Sequence, residues 1–188
     1  MHIVYLHGFN SGPKSLKAHE TADYLRRHHP DCEFHCPQLS PHPAEAAHQA
    51  ETLLQGLPKD TLLIGSSLGG FYATHLAEKL GLRAALINPA VTPHADLSRF
   101  LGPQVNPYTG EAYTLSEADM AALMALRVSH PSARRYWLYL GTRDEVLDWK
   151  AAARHYRNNH QTVFNGDDHR LARWPECLPG LMAWATAA

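Results

Sequence analysis

The sequence has no apolar run long enough to cross a bilayer: stretches such as Ala84-Ala85-Leu86-Ile87 end after a few residues, and about 20 are needed. Its charge is almost balanced, 17 Lys and Arg against 18 Asp and Glu for a net −1, which removes any global attraction to nucleic acid. Cysteine is scarce. Cys32, Cys36 and Cys177 cannot all pair within one chain, so reduced thiols and a cytoplasmic setting are expected. The start, Met1-His2-Ile3-Val4-Tyr5-Leu6, has no basic n-region and reads as a strand rather than a signal peptide. There is no internal repeat or low-complexity tract, no Gly-x-Gly-x-x-Gly, no P-loop and no His-Glu-x-x-His, which leaves nucleotide binding without support.

What is present is enough apolar residue for a core, 45% of 188, and an excess of histidine, 14 in all. Protonating every histidine would carry the net charge from −1 to +13, so solubility and stability should change near pH 6 (roughly, from the imidazole range). Cys32, His35 and Cys36 invite a zinc reading, but no second ligand pair follows at structural spacing. On a strand, Cys32, Phe34 and Cys36 share one face and read as core. His28-His29 at a helix end suits the dipole without a metal. No metal and no cofactor are expected.

Strand-like and helix-like runs alternate. Strands are expected at His2–Leu6, Cys32–Cys36, Thr61–Gly65, Arg83–Ile87, Tyr136–Leu140 and Gln161–Phe164. Helices are expected at Ser15–His29, Ala44–Leu57, Leu68–Leu80, Lys150–Asn158 and Trp174–Ala187, the last interrupted near Pro179. This is the pattern of an α/β fold, a three-layer α/β/α sandwich on a mostly parallel six-stranded sheet. A single domain over residues 1–188 is expected. Between Asn88 and Arg134 the rhythm breaks for about 45 residues without a clear strand. This insertion, at about 90–132, reads either as a lid or as a packing excursion over the sheet.

The segment Thr61-Leu62-Leu63-Ile64-Gly65-Ser66-Ser67-Leu68-Gly69-Gly70 places Gly-x-Ser-x-Gly between an apolar strand and a helix, the context of a nucleophile elbow. Ser67 is the nucleophile in this register, because the equivalent flanks of Ser66 would be Ile64 and Leu68. The new helix aims its free N–H groups, that of Leu68 among them, at charge developing on a carbonyl oxygen. The loop His7-Gly8-Phe9-Asn10-Ser11-Gly12 after the first strand offers the Phe9 N–H as a second donor, with His7 supporting the loop.

A serine needs a base, and a histidine base needs a carboxylate. Asp144 leads for the carboxylate, in the loop after Tyr136–Leu140. Asp148, better suited to a helix N-cap, and Glu145 remain as competitors. His169 alone among the histidines lies in a loop after the final strand, which gives the order Ser67, Asp144, His169. Phe100, Leu101, Tyr108 and Tyr113 from the insertion are expected to line a small apolar pocket for a small-molecule substrate.

His7-Gly8-Phe9, Gly65-Ser66-Ser67-Leu68-Gly69-Gly70, Asn88-Pro89-Ala90, Asn106-Pro107-Tyr108-Thr109-Gly110, Asp144-Glu145-Val146-Leu147-Asp148 and Gly166-Asp167-Asp168-His169 together resemble the small YqiA-like esterases, bacterial α/β-hydrolases. The resemblance implies cofactor-free cleavage of short acyl esters through a serine acyl-enzyme, with acyl-CoA thioesters as the alternative. It also implies a sheet that begins at the strand before the His-Gly loop. Arg143 and the Asp167-Asp168 pair depart from the family pattern and alter the charge beside the site.

Overall fold

The computed structural model describes residues 1–187. In chain order the elements are β1 (His2–Leu6), α1 (Leu16–His28), β2 (Glu33–His35), α2 (Pro43–Gln55), β3 (Leu62–Ser66), α3 (Leu68–Leu80), β4 (Arg83–Ile87), α4 (Pro93–Leu97), β5 (Gly102–Val105), β6 (Ala112–Leu115), α5 (Glu117–Leu126), β7 (Tyr136–Gly141), α6 (Trp149–His155), β8 (His160–Phe164) and α7 (Trp174–Thr186). A short 3-10 turn, Ser98–Phe100, joins α4 to β5.

Six strands form one sheet in the order β2-β1-β3-β4-β7-β8, and every pairing in it is parallel. Period-two alternation sends each strand's apolar side chains to both faces. Val4, Leu6, Leu63, Ala84, Leu86, Leu138 and Leu140 join one buried cluster with residues of α2, α3, α5 and α6. Ile3, Tyr5, Leu62, Ile64, Ala85, Ile87 and Tyr139 join a second with residues of α1 and α7. The expected three-layer α/β architecture with a six-stranded sheet is present.

Two expectations change. The insertion holds strands after all: β5 and β6 form an antiparallel hairpin, Gly102 opposite Leu115 through Val105 opposite Ala112. Its residues alternate between partial exposure and exposure apart from buried Leu115, so the run carries too little apolar signal to read as a strand. Helix α7 also runs unbroken through Pro179. Burial of Trp174, Cys177, Leu178, Leu181 and Met182 against the sheet outweighs the one backbone hydrogen bond that proline forfeits.

Chain order reverses between β1 and β3, each paired to the other but leading outward in opposite directions. The crevice at the carboxyl ends of such strands is where open α/β sheets hold ligands.

Candidate active site

Ser67 sits between β3 and α3 with φ 55° and ψ −120°, a conformation that L-residues rarely adopt. Its surroundings impose it. The Ser67 N–H donates to the Ile87 carbonyl at 3.0 Å, and its carbonyl accepts from Gly70 at 2.9 Å and Ala90 at 3.1 Å. A Cβ at Gly69 would collide with the Leu6 carbonyl oxygen, and one at Gly65 with the Gly69 carbonyl. These two glycines are thus fixed by close backbone approach, the physical content of the elbow motif.

The loop after β1 closes on the serine from the other side of the crevice. A Cβ built at Gly8 would lie 3.3 Å from the Ser67 Cβ. Neither Phe9 nor Leu68 donates its N–H to a backbone carbonyl among the described residues, and both residues line the same cavity as Ser67. His7 holds the loop's shape. Its Nε2 accepts from the Leu39 N–H at 3.0 Å, so Nδ1 carries the proton and donates to the Gly8 carbonyl at 3.0 Å. Burial lowers the pKa of His7 and keeps the ring neutral, with the Gly8 bond acting in the opposite sense.

The loop after β7 brings Asp144 to His169, in the loop after β8. The His169 Nδ1–H donates to Oδ1 at 2.9 Å and Oδ2 at 2.8 Å of a carboxylate whose side chain is 1% exposed. Asp144 Oδ1 also accepts the N–H groups of Val146 and Leu147, each at 2.9 Å, so the carboxylate is oriented from behind. With Nδ1 engaged, Nε2 is the nitrogen left for chemistry. Among the described residues no hydrogen bond joins Ser67 Oγ to His169.

The two competing carboxylates have other partners. Asp148 caps α6, accepting from the Lys150 N–H at 2.9 Å. Glu145 accepts the backbone N–H of His169 at 3.1 Å, so it braces the histidine's loop rather than its ring. Asn88 braces the same loop, a role that its sequence position did not disclose. At φ 40° it donates to the carbonyls of Asp168 (3.1 Å) and His169 (3.2 Å) and accepts from the Gly141 N–H at 2.8 Å. An asparagine before proline at a strand end was the available signal, since asparagine tolerates that backbone region.

Ser67, Leu68, Phe9 and His169 open onto a cavity of about 610 Å³, within the range that takes a small molecule. Phe100 and Tyr108 stand on its wall, and the Phe9 and Phe100 rings lie 5.7 Å apart. Leu101 and Tyr113 do not line it. The Tyr113 hydroxyl instead donates to Asn10 Oδ1 at 2.8 Å, tying the hairpin to the loop after β1. Asn106 does the same by donating to the Ser11 carbonyl at 3.0 Å. Charged side chains also reach the cavity wall: Lys17, Arg99 and Arg170 beside Glu20 and Asp96. Burial lowers the pKa of the Lys17 ammonium and raises that of the Glu20 carboxyl.

The strand expected over Cys32–Cys36 is shorter, Glu33–His35, and the two cysteines flank it on the buried side, away from His35. Cys32, Phe34 and Cys36 pack toward α1 and α7, and burial pushes the Cys36 thiol up to about 12. No helix among the described residues is long and apolar enough to cross a membrane.

The model of an uncharacterised protein family, UPF0227, matches residues 2–186. A UPF0227 protein of Serratia proteamaculans is 28% identical over 187 residues, covering 95% of this chain and 94% of that protein. Among solved structures, Est1E of Butyrivibrio proteoclasticus with ferulic acid bound aligns at TM-score 0.76 and 14% identity, over 100% of this chain and 90% of its own. A monoacylglycerol lipase of Paleococcus ferrophilus aligns at 0.70 and 15%, over 98% and 93%. The chain belongs to UPF0227, the YqiA family, and its fold is that of the α/β-hydrolases.

Proposed function

We propose that this UPF0227 member is a serine hydrolase that cleaves short-chain acyl esters through an acyl-enzyme on Ser67. The observation that carries the reading is the buried Asp144 carboxylate, 2.8 Å from the Nδ1 of a histidine that shares a cavity with a strained serine at a helix N-terminus. Ser67 Oγ attacks the ester carbonyl as His169 Nε2 takes its proton, and the same proton passes to the departing alkoxide. Water then gives a proton to Nε2 as its oxygen bonds to the acyl carbon, and Nε2 returns that proton to Ser67 Oγ as the acyl–Oγ bond breaks and the acid leaves. Asp144 holds the ring and stabilises its charged form. The N–H groups of Phe9 and Leu68 receive the oxyanion, each donor worth roughly 10²–10³ in rate. The monoacylglycerol lipase, named for ester chemistry, lends support by analogy of fold.

A second reading, acyl-CoA thioesters on the same serine, draws on Lys17, Arg99 and Arg170 at the cavity wall, which suit phosphate groups. Glu20 and Asp96 on that wall oppose it, so the neutral ester comes first.

The test is intact-mass labelling with a fluorophosphonate on the native chain and on Ser67→Ala. One adduct on the native chain and none on the variant supports an activated Ser67. A well-folded native chain that takes no label overturns the reading and leaves a binding module. Rates on p-nitrophenyl esters and acyl-CoA thioesters then separate the two substrate classes. With a histidine base, kcat/KM rises with pH through one ionisation and levels, whereas a flat profile removes His169 from the role.

A further inference from the structure

His2 begins β1 and Glu33 and His35 are the two ends of the three-residue β2, and none of the three lines the cavity. Parallel pairing sets His2 beside Glu33 and Val4 beside His35. Paired residues of neighbouring strands share a face, and so do positions two apart on one strand. His2, Glu33 and His35 therefore project together from the edge of the sheet, on the face away from Cys32 and Cys36. Their donor atoms converge. His2 Nδ1 and His35 Nε2 share a hydrogen bond of 3.3 Å, whose proton a metal ion would displace, and Glu33 Oε2 lies 3.6 Å from the first nitrogen and 3.9 Å from the second. The two imidazole rings stack at 11°.

The imidazole–imidazole side of that triangle, 3.3 Å, has the length of an edge of a metal tetrahedron, and the two sides to the exposed Glu33 carboxylate, 3.6 and 3.9 Å, are longer. Ligand bonds of about 2.0–2.1 Å place the corners of a tetrahedron roughly 3.3–3.4 Å apart. The side facing solvent, where Glu33 is 67% exposed, leaves a fourth position for water. Two imidazoles and a carboxylate form a donor set for a borderline ion rather than for Mg²⁺ or Ca²⁺, which take oxygen.

We infer that His2, Glu33 and His35 form a binding site for one Zn²⁺-class divalent ion, completed by water, that pins the edge strand β2 to β1. Strand β2 has three residues and a single neighbour, so a cross-strand ion adds to a short ladder. The site is independent of the hydrolase reading.

The test uses the untagged full-length chain, stripped with EDTA and titrated with Zn²⁺ and Co²⁺. The native chain should bind one equivalent, give the intense visible bands of tetrahedral Co²⁺, and rise in Tm with Zn²⁺. His2→Gln and His35→Gln should each lose more affinity than the roughly 10–100-fold that removal of an outer-shell partner costs. His48→Gln, an exposed histidine elsewhere, should bind as the native chain does. Circular dichroism checks that the variants fold. Absence of stoichiometric binding, six-coordinate Co²⁺ bands on the native chain, or unchanged affinity in both histidine variants overturns the proposal.

Discussion

The elbow around Ser67 and the hairpin of β5 and β6 both shape the cavity region, yet they are held by opposite means. From Thr61 to Phe71 every residue except Ser67 is buried, and backbone approaches backbone so closely that even a methyl group is refused. The hairpin is largely exposed, with Val105 at 58%, and it docks through a few polar contacts from Tyr113, Asn106 and Gln104 to the loop after β1. The first construction fixes a geometry at the cost of tolerating almost no change. The second tolerates change and leaves sequence freedom at the surface.

Perturbations should rank accordingly. Asp144→Asn, which keeps shape but not charge, should lower kcat about 10⁴-fold, or roughly 5 kcal/mol in steady-state ester hydrolysis. A mild loss would shift the orienting role to another carboxylate. Gly69→Ala should lower stability by about 3 kcal/mol or more in urea unfolding, because its methyl group meets the Leu6 carbonyl. On the hairpin, Asn106→Ala should cost about 1–3 kcal/mol. It strips the acceptor from the Tyr108 N–H at 2.8 Å and the donor from the Ser11 carbonyl. An equal cost at Gly69 and Asn106 would erase the contrast. Phe100→Ala and Tyr108→Ala should change acyl-chain preference more than Leu101→Ala or Tyr113→Ala, measured as kcat/KM across ester lengths.

Acid should destabilise the chain through three histidines whose pKa values burial lowers, His7, His75 and His155. Below the unfolded imidazole value of about 6.5 the unfolded chain binds more protons than the folded one, so stability falls as pH drops through that range. Urea midpoints at pH 7 and pH 5 measure it, and equal midpoints would refute it. Asp119 adds to the loss at lower pH. Burial acts to raise its carboxyl, but hydrogen bonds from Ser116 and His42 outweigh burial and keep it below its usual range.

Much of the fold was legible because its signals are local. Alternating apolar strands and amphipathic helices announced six strands of a parallel sheet, and Gly65-x-Ser67-x-Gly69 announced the turn. The hairpin was not legible, since the exposed positions of β5 and β6 carry little periodic burial. Nor was the bracing of the His169 loop by Asn88 and Glu145, which depends on residues 80 and 24 positions away meeting in space.

By itself the sequence determined the six strands of the sheet, the helices outside the insertion and the residue types able to do serine chemistry, because periodicity and turn chemistry act over a few neighbours. Only the tertiary structure decided which aromatic rings face the cavity, which carboxylate meets His169, and that His2 and His35 converge with Glu33. Those outcomes depend on strand register and loop packing, which bring distant residues to within a few ångströms and have no counterpart in local sequence.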